Sequence, residues 1–555
     1  MQEKTDSNVR KESHPPRGQT SNADELSART LAQSARRPRG IRAQEATQFF
    51  LFLTAIFGIG VRVFPLLRTD FPLVDGGMFY NMILDLQANH YLLPAYTTYN
   101  LLQIPYAYPP LAFYVTGLIN SLTHLPLLEL IRWLPLAANL LVLPVVYLFA
   151  RQLLRSSPSA AFVTFLYAMM PNAYWWQITG GGLTRSLGAL FGFLTVYCAL
   201  RMFQEKRTAW LFGTLAAGTL VVLSHPEWAL QAAVGAALIG LWWGRNRTGL
   251  RHALLALLGT IILTAPWWLT VTLQHGAGIF LYASQSTDSR LFFWTPLLTL
   301  SFTAEYVAFL SVFAVIGIFL ALARREYFLP IWVLAGLFAD PRGGIPFTLL
   351  PFSILAAGVI IDVVAPYFLR LRGREADEWW RVLELPVGKA FFGFLVIFCV
   401  ANAYTVSSTI SYHALTTQER QALAWIATET DPGANFLVLS GETNPVHSAL
   451  LEWFPALTGR HSLTTVQGSE WLPGKQHYQV RLKLFSQAQS CLYANTGCLS
   501  GLVDSYREPI DIIVLSQEDG IMPIDATPLY QSLHNSPAFR LLYANEEIKV
   551  FGRRP

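Results

Sequence analysis

Residues 46–80 read ATQFFLFLTAIFGIGVRVFPLLRTDFPLVDGGMFY, an apolar run that ends in a short polar break and an acidic turn. The run 46–67 is long enough for one helix to cross about 30 Å of hydrocarbon at about 1.5 Å per residue. Similar runs fill most of the chain up to residue 407. The sequence therefore predicts an α-helical polytopic membrane protein with about eleven transmembrane helices. The predicted spans are 46–67, 132–150, 159–176, 184–203, 208–224, 227–244, 251–273, 297–323, 326–339, 345–367 and 387–407.

The composition agrees with a membrane protein. The 555 residues are 53% hydrophobic and only 14% charged, against about 25% charged residues in soluble domains. The net charge of +5 does not indicate nucleic-acid binding, because the Lys and Arg residues lie in short clusters between apolar runs. These clusters alternate along the chain, so the positive-inside rule places the N-terminus in the cytoplasm and the C-terminal part outside. Residues 1–45 are interpreted as a disordered cytoplasmic tail, 46–407 as the transmembrane domain and 408–555 as an extracytoplasmic α/β domain.

A long external loop, 68–131, separates the first two predicted spans. Residues 109–123 (PPLAFYVTGLINSLT) could pass for a further span, but counting them would place the later Arg clusters outside. They are therefore interpreted as a juxtamembrane or re-entrant helix. Residues 76–89 carry apolar side chains at helical spacing, which predicts an amphipathic helix suited to lying in the membrane interface.

Residues 408–555 show the pattern of a soluble α/β domain. Strands are predicted at 435–439, at 510–516 and within 541–552, where Asn545 and Glu546 suit a hairpin turn.

Two of the four cysteines, Cys491 and Cys498, fall in this C-terminal part. Disulfides persist outside the cytoplasm, and the turn-forming residues between the two cysteines could bring their Cα atoms close enough. We expect them to form a disulfide.

The acidic residue of FPLVDGGMFY, Asp75, follows the first span and precedes a predicted helix. Its carboxylate could simply cap that helix. A carboxylate in a partly dry site at the membrane surface is also a candidate general base. Nearby aromatic residues, among them Tyr80, Tyr106, Tyr108 and Tyr114, are candidates for binding a substrate by stacking, although an interfacial aromatic belt would also place tyrosines here.

Three later external connections carry further candidates for substrate binding. Arg185 closes WWQITGGGLTR, whose glycines allow a close backbone approach, although an Arg at a helix end can also snorkel. His225 and Glu227 lie in SHPEW, where water could solvate them, and alone they do not make a metal site. Arg342 precedes a Gly-Gly-x-Pro break and suits a lipid phosphate, although it could pair locally with Asp340.

Taken in this order, the features resemble the GT-C superfamily of membrane glycosyltransferases, and in pattern the bacterial protein-mannosyltransferase-like enzymes of glycosyltransferase family 39. The resemblance rests on the Asp75 loop, the YPPL-type helix, the basic connection at 151–155 and a helix ending at Met170 and Pro171. The C-terminal stretches LTTQERQALAWIATETDPGANFLVLSG and EWFPALTGRHSLTTVQGSEW also resemble the tail of such enzymes. The resemblance to the family extends over about residues 46–555.

The resemblance implies transfer of a sugar, with inversion, from a polyprenyl-phosphate carrier in the membrane to an external acceptor of unknown class: glycan, lipid or protein. Asp75 would be the base or would position the acceptor, and Arg342 would bind the carrier phosphate. The chain departs from the mannosyltransferase pattern at Gly76, where those enzymes usually have Glu after the Asp.

The second acidic pair, which holds a metal in oligosaccharyltransferase-like members, is missing from 177–183. No obligatory metal cofactor is therefore expected. Asp288, Glu305 and Glu227 leave a divalent ion possible.

Two other classes of function fit a polytopic chain. A transporter or flippase for lipid-linked sugars or polysaccharides would favour inverted repeats and charges at the bilayer midplane. No repeat is evident here, and the polar candidates cluster at the external ends of spans, which favours interfacial chemistry. A non-catalytic membrane scaffold displaying the C-terminal domain is the third reading.

Overall fold

A computed structural model of the chain describes residues 41–284, 294–340, 344–474, 477–516 and 523–554. Up to residue 410 the described part is almost entirely helical, with one short hairpin, Tyr96–Thr97 paired with Ile104–Pro105. Its α-helices and π-turns are Ala43–Leu53, Thr54–Gly58 (π), Ile59–Leu67, Gly77–Ala88, Leu111–Thr123, Leu127–Leu154, Ser157–Met169, Gly182–Glu205, Thr208–Val222, Pro226–Trp243, Arg247–His275, Gly278–Ser284, Thr295–Leu298, Phe309–Ala323, Phe328–Ala339, Gly344–Val359, Ile360–Val364 (π), Ala365–Arg370 and Pro386–Ile410.

Every predicted span falls on a helix of the described part. Six helices there are long and apolar enough to cross a membrane, and the other predicted spans fall on shorter or less apolar helices. The six are Ala43–Leu67, Leu127–Leu154, Gly182–Glu205, Arg247–His275, Gly344–Arg370 and Pro386–Ile410. The protein is thus a multi-pass helical membrane protein, while the orientation of its termini stays a prediction.

Two predicted spans are too long. The span predicted at 159–176 ends at Met169, because Pro171 forces the preceding Met170 into an extended conformation (φ −77°, ψ 117°). The span predicted at 297–323 begins only at Phe309. There, the Glu305 carboxylate accepts the backbone N–H of Leu310 at 3.0 Å and so satisfies the start of the helix.

The boundary at the first span is also slightly displaced, since the helix begins at Ala43 and not at residue 46. The predicted cytoplasmic tail lies outside the described residues as far as residue 40, as do Asp288 and Arg342.

The predicted helices of the external loop both exist, as Gly77–Ala88 and Leu111–Thr123. The apolar face of Gly77–Ala88 is buried by protein, in a cluster that includes Trp453 and Phe454 of the C-terminal part. The expectation that this helix lies with its apolar face in the membrane interface is therefore wrong. Its buried side chains are Met78, Phe79, Met82, Ile83 and Leu86.

The C-terminal part contains a five-stranded mixed sheet. In spatial order its strands are His461–Ser462, Asn435–Leu439, Ile512–Leu515, Lys549–Arg553 and Phe539–Ala544; the first three are parallel and the last two antiparallel to their neighbours. Its helices are Thr417–Glu429, Ala449–Thr458, His477–Ser490, Thr496–Tyr506 and Pro528–His534. The three predicted strand regions are confirmed, with the last one folded as a hairpin at Asn545. The pairing of His461–Ser462 was not predicted.

The two faces of the sheet pack against different parts of the molecule. Phe436, Val438 and Val514 point towards the external loop and share a buried cluster with its helix Gly77–Ala88. Alternate residues point the other way into a second cluster, which includes Leu437, Leu439, Leu515 and Cys491. Residues 43–555 thus form one compact unit, and a separate domain starting at residue 408 stays a prediction.

The predicted disulfide is confirmed. Cys491 and Cys498 are bonded, with their Cα atoms 5.7 Å apart. The bond joins the end of the His477–Ser490 helix to the start of Thr496–Tyr506.

Candidate active site

Asp75 is buried where the external loop meets the glycine-rich connection before Gly182–Glu205. Its Oδ1 accepts the backbone N–H of Gly181 at 2.8 Å, and its Oδ2 accepts a guanidinium N–H of Arg185 at 2.8 Å. Only 7% of Asp75 is exposed. It does not cap the following helix, whose N-cap position is Gly76 with no side-chain cap. The capping alternative is therefore wrong, and the carboxylate instead belongs to an ion pair.

The glycines of the WWQITGGGLTR stretch are needed for this contact. A Cβ atom on Gly180 would lie 1.9 Å from the backbone oxygen of Asp75, and one on Gly181 would lie 2.3 Å from its Oδ2. Neither distance is possible for a side chain, so only glycine lets the two backbones approach this closely.

Arg185 is fixed by more than its carboxylate partner. One guanidinium nitrogen lies 3.3 Å from both the backbone oxygen of Trp176 and the hydroxyl of Thr179. The guanidinium carbon lies 5.2 Å from the centre of the Trp176 ring, a cation–π distance. A planar donor fork held on several sides suits recognition of a carboxylate or phosphate.

The backbone around Asp75 is held by two other segments. The N–H of Gly180 donates to Leu73 O at 2.9 Å, and the N–H of Val74 donates to His413 O at 2.6 Å. Val74 has a φ of 57°, a left-handed conformation that is strained for a β-branched residue. Strain of this kind persists only where surrounding contacts enforce it, and it concentrates at functional sites.

Three other sequence candidates lie in the same region. The Tyr108 hydroxyl is 3.4 Å from Thr184 Oγ1, one residue before Arg185, and its ring centre is 6.0 Å from that of His225. Burial raises the pKa of Tyr108, and the charges of Arg185 and Glu227 act on it as well. The structure therefore places Tyr108 at the helical turn that carries Arg185 and His225 next to Tyr108, and the charge of Glu227 acts on both Tyr108 and Arg185.

Of the remaining sequence candidates, Tyr80 lies in the first turn of the Gly77–Ala88 helix, where its N–H donates to Gly76 O at 2.8 Å. The ring of Tyr80 lies 6.1 Å from that of Trp453. Tyr106 is fully buried and donates to Met82 O at 2.8 Å, which gives it a structural place. Arg342 lies outside the described residues, so its phosphate-binding role stays a prediction.

Glu452, which was not among the site residues predicted from the sequence, reaches the site from the C-terminal part. Its Oε1 accepts the backbone N–H groups of Gly76 (3.4 Å) and Met78 (3.3 Å), at the start of the external-loop helix. Its backbone oxygen accepts the hydroxyl of Tyr99 at 2.7 Å. Burial, and then the nearby charge of Asp75, raises the pKa of Glu452 to about 8. At neutral pH this carboxyl is mainly protonated beside Asp75.

Glu452 carried a signal in the sequence, because it is an acidic residue inside the apolar run ALLEWFPAL. Lys, Glu, Arg and Asp are almost never fully buried unless they have partners. What the sequence lacked was the partner, which lies more than 370 residues away along the chain.

The described residues contain no group of three or more His, Cys, Asp or Glu side chains placed to hold a metal ion. The charge of Glu227 acts on Arg185, whereas Glu305 serves the start of the Phe309–Ala323 helix. The expectation that no metal is obligatory stays a prediction.

Comparison with known proteins supports the resemblance found in the sequence. Residues 107–269 match the sequence model of a family described as dolichyl-phosphate-mannose-protein mannosyltransferase. Two crystal structures of ArnT from Cupriavidus metallidurans share the fold. The apo structure has a TM-score of 0.53 at 17% identity, and the structure bound to undecaprenyl phosphate has 0.52 at 14%; each alignment covers 91% of this chain and 98% of ArnT. No curated protein sequence matches significantly.

These similarities confirm the predicted fold class. The family match covers less than half of the chain, and the structural matches are distant in sequence, but they agree on one architecture. The chain has a GT-C-like fold, and its resemblance to the GT-C membrane glycosyltransferases is confirmed.

Proposed function

We propose that this protein is an inverting glycosyltransferase that takes a sugar from a polyprenyl-phosphate donor and transfers it to an acceptor on the extracytoplasmic side. The observation that carries the proposal is the buried Asp75–Arg185 pair, built into a GT-C-like fold. The pair holds in a fixed place the carboxylate that an attack on a sugar phosphate needs as its proton acceptor. A guanidinium is needed as well, as the donor to the departing phosphate.

Asp75 would act on the acceptor. An ionised carboxylate has about four lone-pair positions, and the contacts with Gly181 and Arg185 use two of them. A hydroxyl group could therefore donate to Asp75 without displacing either partner. As its oxygen bonds to the anomeric carbon, the proton passes to Asp75 and the carbon–oxygen bond to the phosphate breaks on the opposite face, which inverts the configuration.

The phosphate would leave with the electrons of that bond. A guanidinium stabilises the negative charge more strongly as it develops than in the bound donor, which is the condition for acceleration. We assign this role to Arg342, as the resemblance implies, with Arg185 as the alternative. Tyr108, His225, Glu227 and Tyr80 would contribute to the walls of the substrate site, and no metal cofactor is required in this scheme.

The test uses the full chain reconstituted in lipid vesicles with synthetic polyprenyl-phosphate sugars carrying different hexoses and pentoses, together with candidate glycan, lipid and protein acceptors. We expect release of free polyprenyl phosphate from at least one donor, measured by mass spectrometry, and no consumption of nucleotide sugars. Movement of an intact donor between leaflets without bond cleavage would instead identify a flippase. If the donor is neither cleaved nor moved, the protein is a scaffold.

A further inference from the structure

Four aromatic side chains form a cluster beside the ion pair. The rings of Trp175 and Trp176 stack with centres 5.1 Å apart. The ring of His447 lies 6.0 Å from Trp175 and 5.6 Å from Trp176, and that of His413 lies 5.9 Å from His447. We call these residues the Trp–His platform. All four residues are half-buried.

Polar groups border the Trp–His platform. The amide nitrogen of Asn444 lies 3.4 Å from His447 Nε2, and the backbone N–H of Asn444 donates to Glu442 Oε1 at 3.0 Å. Burial and the neighbouring His447 lower the pKa of His413, which keeps its ring neutral at pH 7. A neutral imidazole both donates and accepts hydrogen bonds.

The platform is directly connected to Asp75. Trp176 lies under the guanidinium of Arg185, which binds the carboxylate of Asp75. On the other side, the carbonyl of His413 accepts the N–H of Val74, the residue before Asp75. A molecule lying on the platform would thus have its edge close to the carboxylate.

We propose that the Trp–His platform binds a saccharide, and that this saccharide carries the hydroxyl group presented to Asp75. The inference rests on the proposed function and extends it by naming the acceptor as a glycan. Sugar rings have one face of C–H groups that packs on aromatic rings, and hydroxyls at their edges that need both donors and acceptors. The stacked tryptophans offer aromatic rings for the C–H face. The histidines, Asn444 and Glu442 offer donors and acceptors for the hydroxyls.

The position of the platform favours the acceptor over the donor. Its residues come from the 3-10 turn Trp175–Gln177, which lies beyond the end of the Ser157–Met169 helix, and from connections that flank the C-terminal sheet. A donor keeps its polyprenyl chain in the bilayer, whereas a glycan acceptor can approach from water. A purely interfacial tryptophan belt would not require the paired histidines, the amide and the carboxylate.

The experiment measures sugar binding without transfer. The full chain is placed in lipid nanodiscs free of glycoside detergents and titrated by calorimetry with neutral trisaccharides of mannose, glucose, galactose and arabinose. We expect at least one to bind with a dissociation constant near the millimolar range. Trp175→Ala and His447→Ala should each weaken it at least about tenfold. Trp175→Phe, which keeps a ring, should retain most of the affinity.

The control is Trp242→Ala, which removes an exposed tryptophan outside the platform, at the end of the Pro226–Trp243 helix, and should leave binding unchanged. Binding to none of the four trisaccharides, or equal binding by wild type and a correctly folded Trp175→Ala, would overturn the inference. Donor cleavage without trisaccharide binding would support the proposed glycosyltransferase function and contradict the saccharide platform. Trisaccharide binding without cleavage of any donor would support the platform and contradict the glycosyltransferase function.

Discussion

The Asp75 carboxylate is held in place by its hydrogen bonds and has oxygen lone pairs left to accept a proton. Asp75→Asn tests whether accepting the proton is essential. Asparagine keeps an oxygen for the Gly181 N–H but loses the charge that holds Arg185 and the ability to take a proton. We expect the transfer rate to fall by at least about a hundredfold in a protein that still folds, with a lower thermal unfolding midpoint because Arg185 loses its charged partner. Asp85→Asn is the matched control, because Asp85 binds Thr97 and Thr98 in the same external loop. Full transfer activity in Asp75→Asn would exclude Asp75 as the base.

Gly181→Ala tests whether the position of the carboxylate matters as much as its charge. The added methyl group would lie 2.3 Å from Asp75 Oδ2, so the carboxylate or the loop must move. Displacement by about 1 Å can cost about a hundredfold in rate, and we expect a loss of that order in single-turnover transfer. Gly393→Ala, where a Cβ meets nothing within 4 Å, is the control. Equal rates for both variants would contradict a geometric requirement at Gly181.

Glu452 makes stability depend on pH. Folding raises its pKa to about 8, so the folded state binds this proton more tightly than the unfolded chain does. The stabilisation is full below the ordinary Glu pKa and is lost as the pH rises towards 8. Glu452→Gln should reduce the slope of unfolding free energy against pH between 5 and 8, by up to about 1.4 kcal/mol per pH unit. This slope is measured by chemical unfolding at several pH values.

The control for that measurement is Glu429→Gln, at the exposed end of the Thr417–Glu429 helix, which should keep the wild-type slope. Some slope should remain in Glu452→Gln, because burial also raises the pKa of Glu419. Identical slopes for wild type and Glu452→Gln would show that the carboxyl is ionised at neutral pH.

At the scale of helices, Arg62 joins three of them inside the helical core. Its Nε donates to Asn139 Oδ1 at 2.7 Å, and its NH1 donates to Ala168 O and to Gly58 O, each at 2.8 Å. Arg62→Met fills similar space but leaves the oxygens of Asn139 and Ala168 without this donor. An unsatisfied buried polar group costs about 1–3 kcal/mol, so we expect a clearly lower thermal midpoint. Arg68→Met, at the exposed end of the same helix, should change the thermal midpoint little. Equal midpoints for wild type and Arg62→Met would contradict a stabilising role for Arg62.

Helix positions could be predicted because membrane spans are a local signal of length and apolarity. The strand at 435–439 was predicted for the same reason, since it is a short apolar run between turn residues. Helix ends were less predictable where the deciding group was not an apolar residue, as with Pro171 and Glu305. The amphipathic pattern of Gly77–Ala88 correctly predicted a buried face but could not tell protein from lipid as the covering material.

The site shows the same division between local and distant information. Asp75, Arg185, Tyr108 and the glycine-rich stretch were each recognisable from their neighbours in sequence, and the structure brings them together. Contributions from the C-terminal part were not recognisable in this way. They depend on contacts between segments hundreds of residues apart, and a single sequence contains no pattern that reports such pairs.

At the scale of the molecule, the C-terminal sheet and the external loop share one core. The face that carries Phe436, Val438 and Val514 is covered by the loop, and Glu452 satisfies the start of its helix. Residues 411–555 expressed alone should therefore expose a large apolar patch, bind the dye ANS and aggregate. Co-expression with residues 1–410 should restore a stable complex and transfer activity, because the same surfaces can then meet. The isolated fragment carrying Phe436→Ser and Val438→Thr is the control, since a more polar face should lower dye binding without restoring activity. A wild-type fragment that is monomeric, soluble and free of dye binding would instead establish the independent domain that the sequence predicts from residue 408.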